Sequence, residues 1–159
     1  MDIKTDSTPK TCYKIYSVEV KEDGVYFSCG AIFKDEMVKK RLLGCKKCVV
    51  LTATLGHNVS RVIDRLQYES MSQALLYDKS ANAYIEEVLD GLQLQIALEA
   101  NSQGLKTTKR FSPGFKGFSI NNQPLMLKLS NATKEAGVTL TNDNLLIPQK
   151  SVTALIGLY

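Results

Sequence analysis

Residues 108–119 read TKRFSPGFKGFS, a mixture that neither a helix nor a regular strand asks for. Arg110 carries five N–H donors in a planar fork, a shape that grips a carboxylate through two bonds. Gly114 lets a ligand approach the main chain with no side chain in the way. Pro113 fixes φ beside it and stiffens the approach. Phe111, Phe115 and Phe118 offer an apolar or stacking wall. This set suits a zwitterionic ligand with an apolar or aromatic part. It equally suits a plain strand-to-helix turn with its phenylalanines in the core, and spacing alone leaves both readings open.

Two other stretches carry reactive side chains. Cys45 and Cys48 have C-x-x-C spacing, but there is no second pair, and His57 is the only histidine, so a structural zinc set is incomplete. The pair also follows a helix and precedes a strand, the reverse of a thioredoxin-like motif. His57 follows Gly56 at a strand-to-helix junction, where a helix N-terminus attracts anions. One glycine is not a dinucleotide fingerprint, and no nucleophile or carboxylate accompanies the histidine at local spacing.

The elements that must position these residues follow from periodicity. YKIYSVEV (13–20) alternates like a half-buried strand, EDG (22–24) signals a turn, and VYFSCGAIF (25–33) reads as the second strand of a hairpin. Asp35 is placed to cap a helix over 34–44 that Gly44 ends. CVVLTAT (48–54) is a buried strand. A helix over 55–67 buries Val59, Val62, Ile63 and Leu66. Ser70 opens a long helix to about Asn101, with Ala74, Ala81 and Val88 in one heptad position and Ile85 and Leu92 in another. Gly91 within it implies close packing or a bend. Residues 121–137 read as one helix with Pro124 in its first turn and Gly137 at its end. VTL (138–140) and SVTALIGLY (151–159) are strands, and residues 1–10 form a loose tail. The strands come first as a pair, then singly between unequal helices. That predicts an α+β fold, a mostly antiparallel twisted sheet packed with helices, in a single domain over residues 1–159.

Composition narrows the function. The 159 residues include 44% hydrophobic and 23% charged positions with a formal net charge of +4. The basic residues are too scattered for a nucleic-acid interface and favour at most an acidic partner. No apolar run reaches membrane-spanning length, and the N-terminus lacks a secretory core, which predicts a cytoplasmic protein with free thiols.

Three stretches, taken in order, resemble one family. They are LLGCKKCVVLTATLGHNVSRVIDRL (42–66), RFSPGFKGFSINNQPLMLKLSNATKEAGVTLT (110–141) and LLIPQKSVTALIGL (145–158). They look like the activation, or reactivation, domain of cobalamin-dependent methionine synthase and its stand-alone relatives. The specific part is the R-x-x-x-G-aromatic loop, then a helix, then GVTLT, then P-x-x-S-V. The resemblance implies a protein that binds S-adenosylmethionine and docks over the cobalamin of a partner methionine synthase or other corrinoid protein. There an electron from a flavodoxin-like donor and the methyl group restore methylcobalamin, with this chain an accessory and not an enzyme alone. It also implies that Arg110 clamps the ligand carboxylate, that Ser112 and Gly114 offer backbone contacts, and that Phe115 lies beside ligand and corrin. Phe115 stands where the family has tyrosine. The family's helix carboxylate falls near Gln93 to Gln95, and its N-terminal aspartate has no counterpart in MDIKTDSTPK. The family's second tyrosine lies in a hairpin past the position of Tyr159. These departures keep an alternative in view, a non-catalytic relative that binds a corrinoid protein or other partner without a small ligand.

Overall fold

The computed structural model describes residues 2–159. Five antiparallel strands form a curled sheet. β1 (Lys10–Lys21), β2 (Gly24–Phe27), β3 (Ile32–Phe33), β4 (Lys47–Thr54) and β7 (Ser151–Leu158) lie in the order β3-β2-β1-β4-β7. β4 is the axis of the sheet, because Leu51 stands opposite Tyr13 of β1 on one side and Ala154 of β7 on the other. A separate two-stranded ribbon joins β5 (Thr139–Leu140) to β6 (Leu146–Ile147).

Strand alternation sends successive β4 side chains to opposite faces, and both faces are covered. Val49, Leu51 and Ala53, with Ala154, Ile156 and Leu158, meet helices α3 (His57–Glu69) and α4 (Met71–Ser102). Cys48, Val50 and Leu155 meet α2 (Glu36–Leu42), α5 (Gln123–Ser130) and the phenylalanines of the loop. Near α5 the second face turns polar. The hydroxyls of Thr52 and Ser130 lie 2.8 Å apart, and Thr153 donates to Gln123 at 2.7 Å. Buried hydroxyls demand such partners.

α4 runs about 48 Å at 1.5 Å per residue. Its buried stripe, Ala74, Tyr77, Ala81, Ile85, Leu89, Leu92, Ile96 and Ala100, follows the expected heptad positions. Ser70 caps it, its hydroxyl accepting the Gln73 N–H at 3.5 Å. Close packing does not account for Gly91, for a side chain there would enter open space.

Several expected elements are divided. The strand over 25–33 is split by a tight loop at 28–31, where Gly30 takes φ +96° and Phe27 N–H donates to the Ala31 carbonyl. The single helix over 121–137 becomes a 3-10 turn (Ile120–Asn122), then α5, then α6 (Ala132–Ala136). Asn131 breaks it at φ +58°, a conformation asparagine tolerates better than most residues. The break lets Ala132 and Ala136 pack on Cys12 of β1. Residues 3–6, expected in a loose tail, form a helical turn, α1 (Ile3–Asp6). The Tyr77 hydroxyl donates to the Asp6 carboxylate at 2.9 Å, and Ile3 packs on the core. Asp35 takes the N-cap position of α2, its carbonyl accepting the Lys39 N–H at 3.1 Å, but its side chain makes no capping bond. Its carboxylate accepts from the Ser119 N–H and the Asn122 amide, both at 2.9 Å. None of the described helices is long and apolar enough to cross a membrane.

Candidate functional site

The loop begins as an irregular edge along β7. Lys106 exchanges backbone bonds with Tyr159, Thr108 donates to Gly157, and Phe111 exchanges bonds with Leu155. From Thr108 to Phe111 is three residues, while from Gly157 to Leu155 is two. The extra residue is a bulge, a device that re-aims a side chain. It explains why this stretch forms only isolated bridges at Thr107 and Phe111.

Arg110 lies within the bulge and points to α4. Its guanidinium donates to Glu86 at 2.6 Å, to Asp90 at 2.9 Å and to the Gln93 side-chain oxygen at 2.7 Å. The Arg110 side chain is 20% exposed, whereas Glu86 and Asp90 are 60% and 71% exposed. A half-sequestered cation is thus held by two carboxylates that still face water. Sequence reasoning looked for a helix acid near Gln93 to Gln95 and missed these two. The available signal was spacing: positions 86, 90 and 93 follow i, i+4, i+7 and share one helical face.

The three phenylalanines divide. Phe111 and Phe118 are core residues, their ring centroids 5.8 Å apart, with Phe33 at 6.1 Å from Phe118. Phe115 is 62% exposed at the loop tip. Gly114 takes φ +100°, which favours glycine, and its N–H donates to the Phe118 carbonyl at 2.9 Å. With its N–H engaged, Gly114 has its carbonyl to offer a ligand. A cavity of about 530 Å³ opens here, lined by Gly114, Phe115, Gly117, Ser119, Ile120 and the start of α2. Arg110 and Ser112 are not among its lining residues. The loop therefore presents two neighbourhoods, a guanidinium–carboxylate cluster on α4 and an apolar hollow beside Gly114 and Phe115.

The thiols are quiet. Cys45 and Cys48 are buried and unbonded to each other, and burial pushes both thiols up from their ordinary 9.0. They stay protonated near neutrality, the opposite of a reactive cysteine. His57 begins α3 at the rim of a cavity of about 200 Å³ that also holds Lys10 and Thr54, with no carboxylate in its lining.

No protein-family model matches this sequence, and no curated protein does. Among solved structures, the crystal structure of the MetH reactivation domain bound to AdoHcy matches with a TM-score of 0.69 at 13% sequence identity. The match covers 97% of this chain and 59% of that one, so this chain spans about three-fifths of its neighbour's length. At that identity the likeness is one of fold, and the fold is activation-domain-like.

Proposed function

We propose that this chain is an S-adenosylmethionine-binding reactivation module that supports reductive methylation of cob(II)alamin held by a partner methionine synthase. The observation that carries the reading is the likeness of nearly the whole chain to a domain crystallised with AdoHcy. The chemistry of the Arg110 cluster fits the amino-acid end of such a ligand. Arg110 accommodates the carboxylate, and the water-facing acids Glu86 and Asp90 give way to it. Exposed ion pairs are worth only about 0–1 kcal/mol each, so a ligand carboxylate displaces them at small cost. The freed acids then face the ligand's ammonium and sulfonium. Ser112 and the Gly114 carbonyl contribute backbone contacts, and Phe115 offers an exposed ring to adenine or to a docking corrin. S-adenosylmethionine supplies the methyl group, the partner supplies the cobalt, and a flavodoxin-like donor supplies the electron.

Calorimetric titration with S-adenosylmethionine tests this. Arg110→Ala is expected to lower affinity by about 1.5–3 kcal/mol, the worth of a charge-assisted bond. Equal affinities in both proteins would remove Arg110 from the site.

A second reading rests on the same cluster. Arg110 already has three acceptors in the free chain. In this reading the chain keeps the scaffold to bind a corrinoid protein with no small ligand. No heat with millimolar S-adenosylmethionine, together with retained corrinoid-protein capture, selects it.

A further inference from the structure

Along the chain the basic residues are scattered, but the fold gathers five of them at one place. The end of β1 brings Lys21, α2 brings Lys39, Lys40 and Arg41, and the loop brings Lys116. Together they line a groove of about 930 Å³. Its lining also holds two carboxylates, Glu22 and Glu36, so five cations against two acids leave a net +3 of the chain's formal +4. Among the described residues, Lys39 alone of the five is ion-paired, to Glu36 at 3.1 Å. A concave surface dominated by one sign of charge concentrates its field on whatever enters.

Two of the cations lean on aromatic faces. The Lys21 ammonium lies 4.5 Å from the centre of the Tyr26 ring, and the Arg41 guanidinium 5.8 Å from that of Phe111. Neither has a carboxylate partner among the described residues. Between the charges the lining is apolar. Val20 and Met37 are half-buried, and Leu43 is 73% exposed. The groove adjoins the hollow beside Phe115, for Glu36 and Gly117 line both.

We propose that this groove receives an acidic segment of a partner protein, with an apolar side chain set between its carboxylates. Charge complementarity selects the acid. Val20, Met37 and Leu43 select the apolar anchor, which a small anion lacks and without which Leu43 stays in water. A nucleic-acid strand wants rings on which to stack its bases, and no aromatic residue lines the groove. Glu22 and Glu36 also oppose an unbroken row of phosphates. No member of the Arg110 cluster lines the groove, so the inference stands independently of S-adenosylmethionine binding.

Titration of the isotope-labelled chain, followed by amide chemical shifts at two salt concentrations, tests this. The probe is a short peptide of glutamates with leucine at every third position. Comparison probes are the same peptide with serine for glutamate, polyglutamate of equal length, and a thymidine oligonucleotide. The glutamate–leucine peptide is expected to shift the amides of Val20, Lys21, Met37 to Leu43, Lys116 and Gly117, and to bind more weakly as salt rises. The serine peptide and polyglutamate should each bind about tenfold more weakly or worse. Lys40→Glu with Lys116→Glu should weaken the peptide by about tenfold, while Lys79→Glu with Lys134→Glu, an equal change of charge elsewhere, should not. Leu43→Ser should weaken it at both salt concentrations. No shifts at millimolar peptide, or shifts centred outside the groove, overturn the proposal. So does equal weakening by the two double reversals, since the chain's overall charge then does the binding. Polyglutamate as tight as the leucine peptide removes the apolar anchor, and tighter binding of the oligonucleotide replaces the protein partner with a nucleic acid; either overturns it. Should a reversal variant fail to fold, the shift map and the probe series on the unaltered chain still decide.

Discussion

Replacing Gly157 with alanine puts one methyl group at the tightest point of the face that carries α2. Gly157 lies in β7 opposite Cys48 of β4. A Cβ there would stand 2.5 Å from the Cys45 sulfur, 3.0 Å from Leu42 Cδ2 and 3.1 Å from Thr108 Cγ2. Comfortable contact is about 3.5–4.0 Å, so the sulfur alone must retreat by about 1 Å. It has little room, since Leu42 is fully buried and Cys45 is 9% exposed. Thr108 cannot swing away either, because its N–H donates to the Gly157 carbonyl and its hydroxyl accepts the Gly157 N–H, both at 2.9 Å. Overpacking of this kind costs about 1–3 kcal/mol. The lower unfolded-state entropy of alanine returns about 0.5–1 kcal/mol. The expected net loss is therefore about 1–2 kcal/mol, measured as a lower urea midpoint at unchanged m-value. Cys45→Ala removes the colliding atom. In the double variant the two changes should couple by about 1 kcal/mol in the favourable direction. A Gly157→Ala protein as stable as its parent, or two changes that simply add, would refute the steric reasoning.

Gly91→Ala should act in the opposite sense. The position is mid-helix and open to solvent, so the substitution is expected to raise stability by about 0.5–1 kcal/mol, read from the same urea midpoints. Alkaline pH should destabilise the protein. Burial raises the Cys48 thiol above its ordinary 9.0, so the unfolded chain releases that proton first. The stabilising contribution is complete below pH 9 and is lost as pH rises beyond it, with a slope approaching about 1.4 kcal/mol per pH unit for this group. Urea unfolding followed through that range should show the decline, and Cys48→Ala should flatten it while lowering stability at neutral pH.

The α+β class was legible because β4 and α4 are strongly patterned. A run of β-branched residues at 48–54 and a heptad stripe from Ala74 to Ile96 leave little choice of element. What escaped was decided by single residues acting through tertiary contacts. Nothing local marks Asn131 as the break between α5 and α6, because the break serves the packing of Ala132 and Ala136 against Cys12. Asp35 looked like a cap because capping is a local rule, yet its carboxylate serves a loop more than eighty residues away. The loop was legible in composition and not in geometry. Gly114 does take the left-handed conformation that glycine permits, and Phe115 does stand free. That Phe111 and Phe118 turn inward depends on Phe33 and Leu155, which spacing cannot reveal. That Arg110 turns to α4 depends on a bulge counted against β7, which is visible only once the pairing is known.

The double burial of β4 has a consequence for how the protein is made. β4 finds β1 about forty residues back along the chain but waits about a hundred residues for β7, so a large part of the fold has high contact order. On the ribosome, β1 and α3 shelter one edge and one face early. The other edge, and the part of the Cys48–Val50 face that α2 leaves uncovered, wait until β7 and α5 emerge. An uncharged, β-branched segment in that condition is prone to stack with its like on neighbouring nascent chains. Lys46 and Lys47 stand at its entrance as gatekeepers during that interval, keeping half-made copies apart by charge.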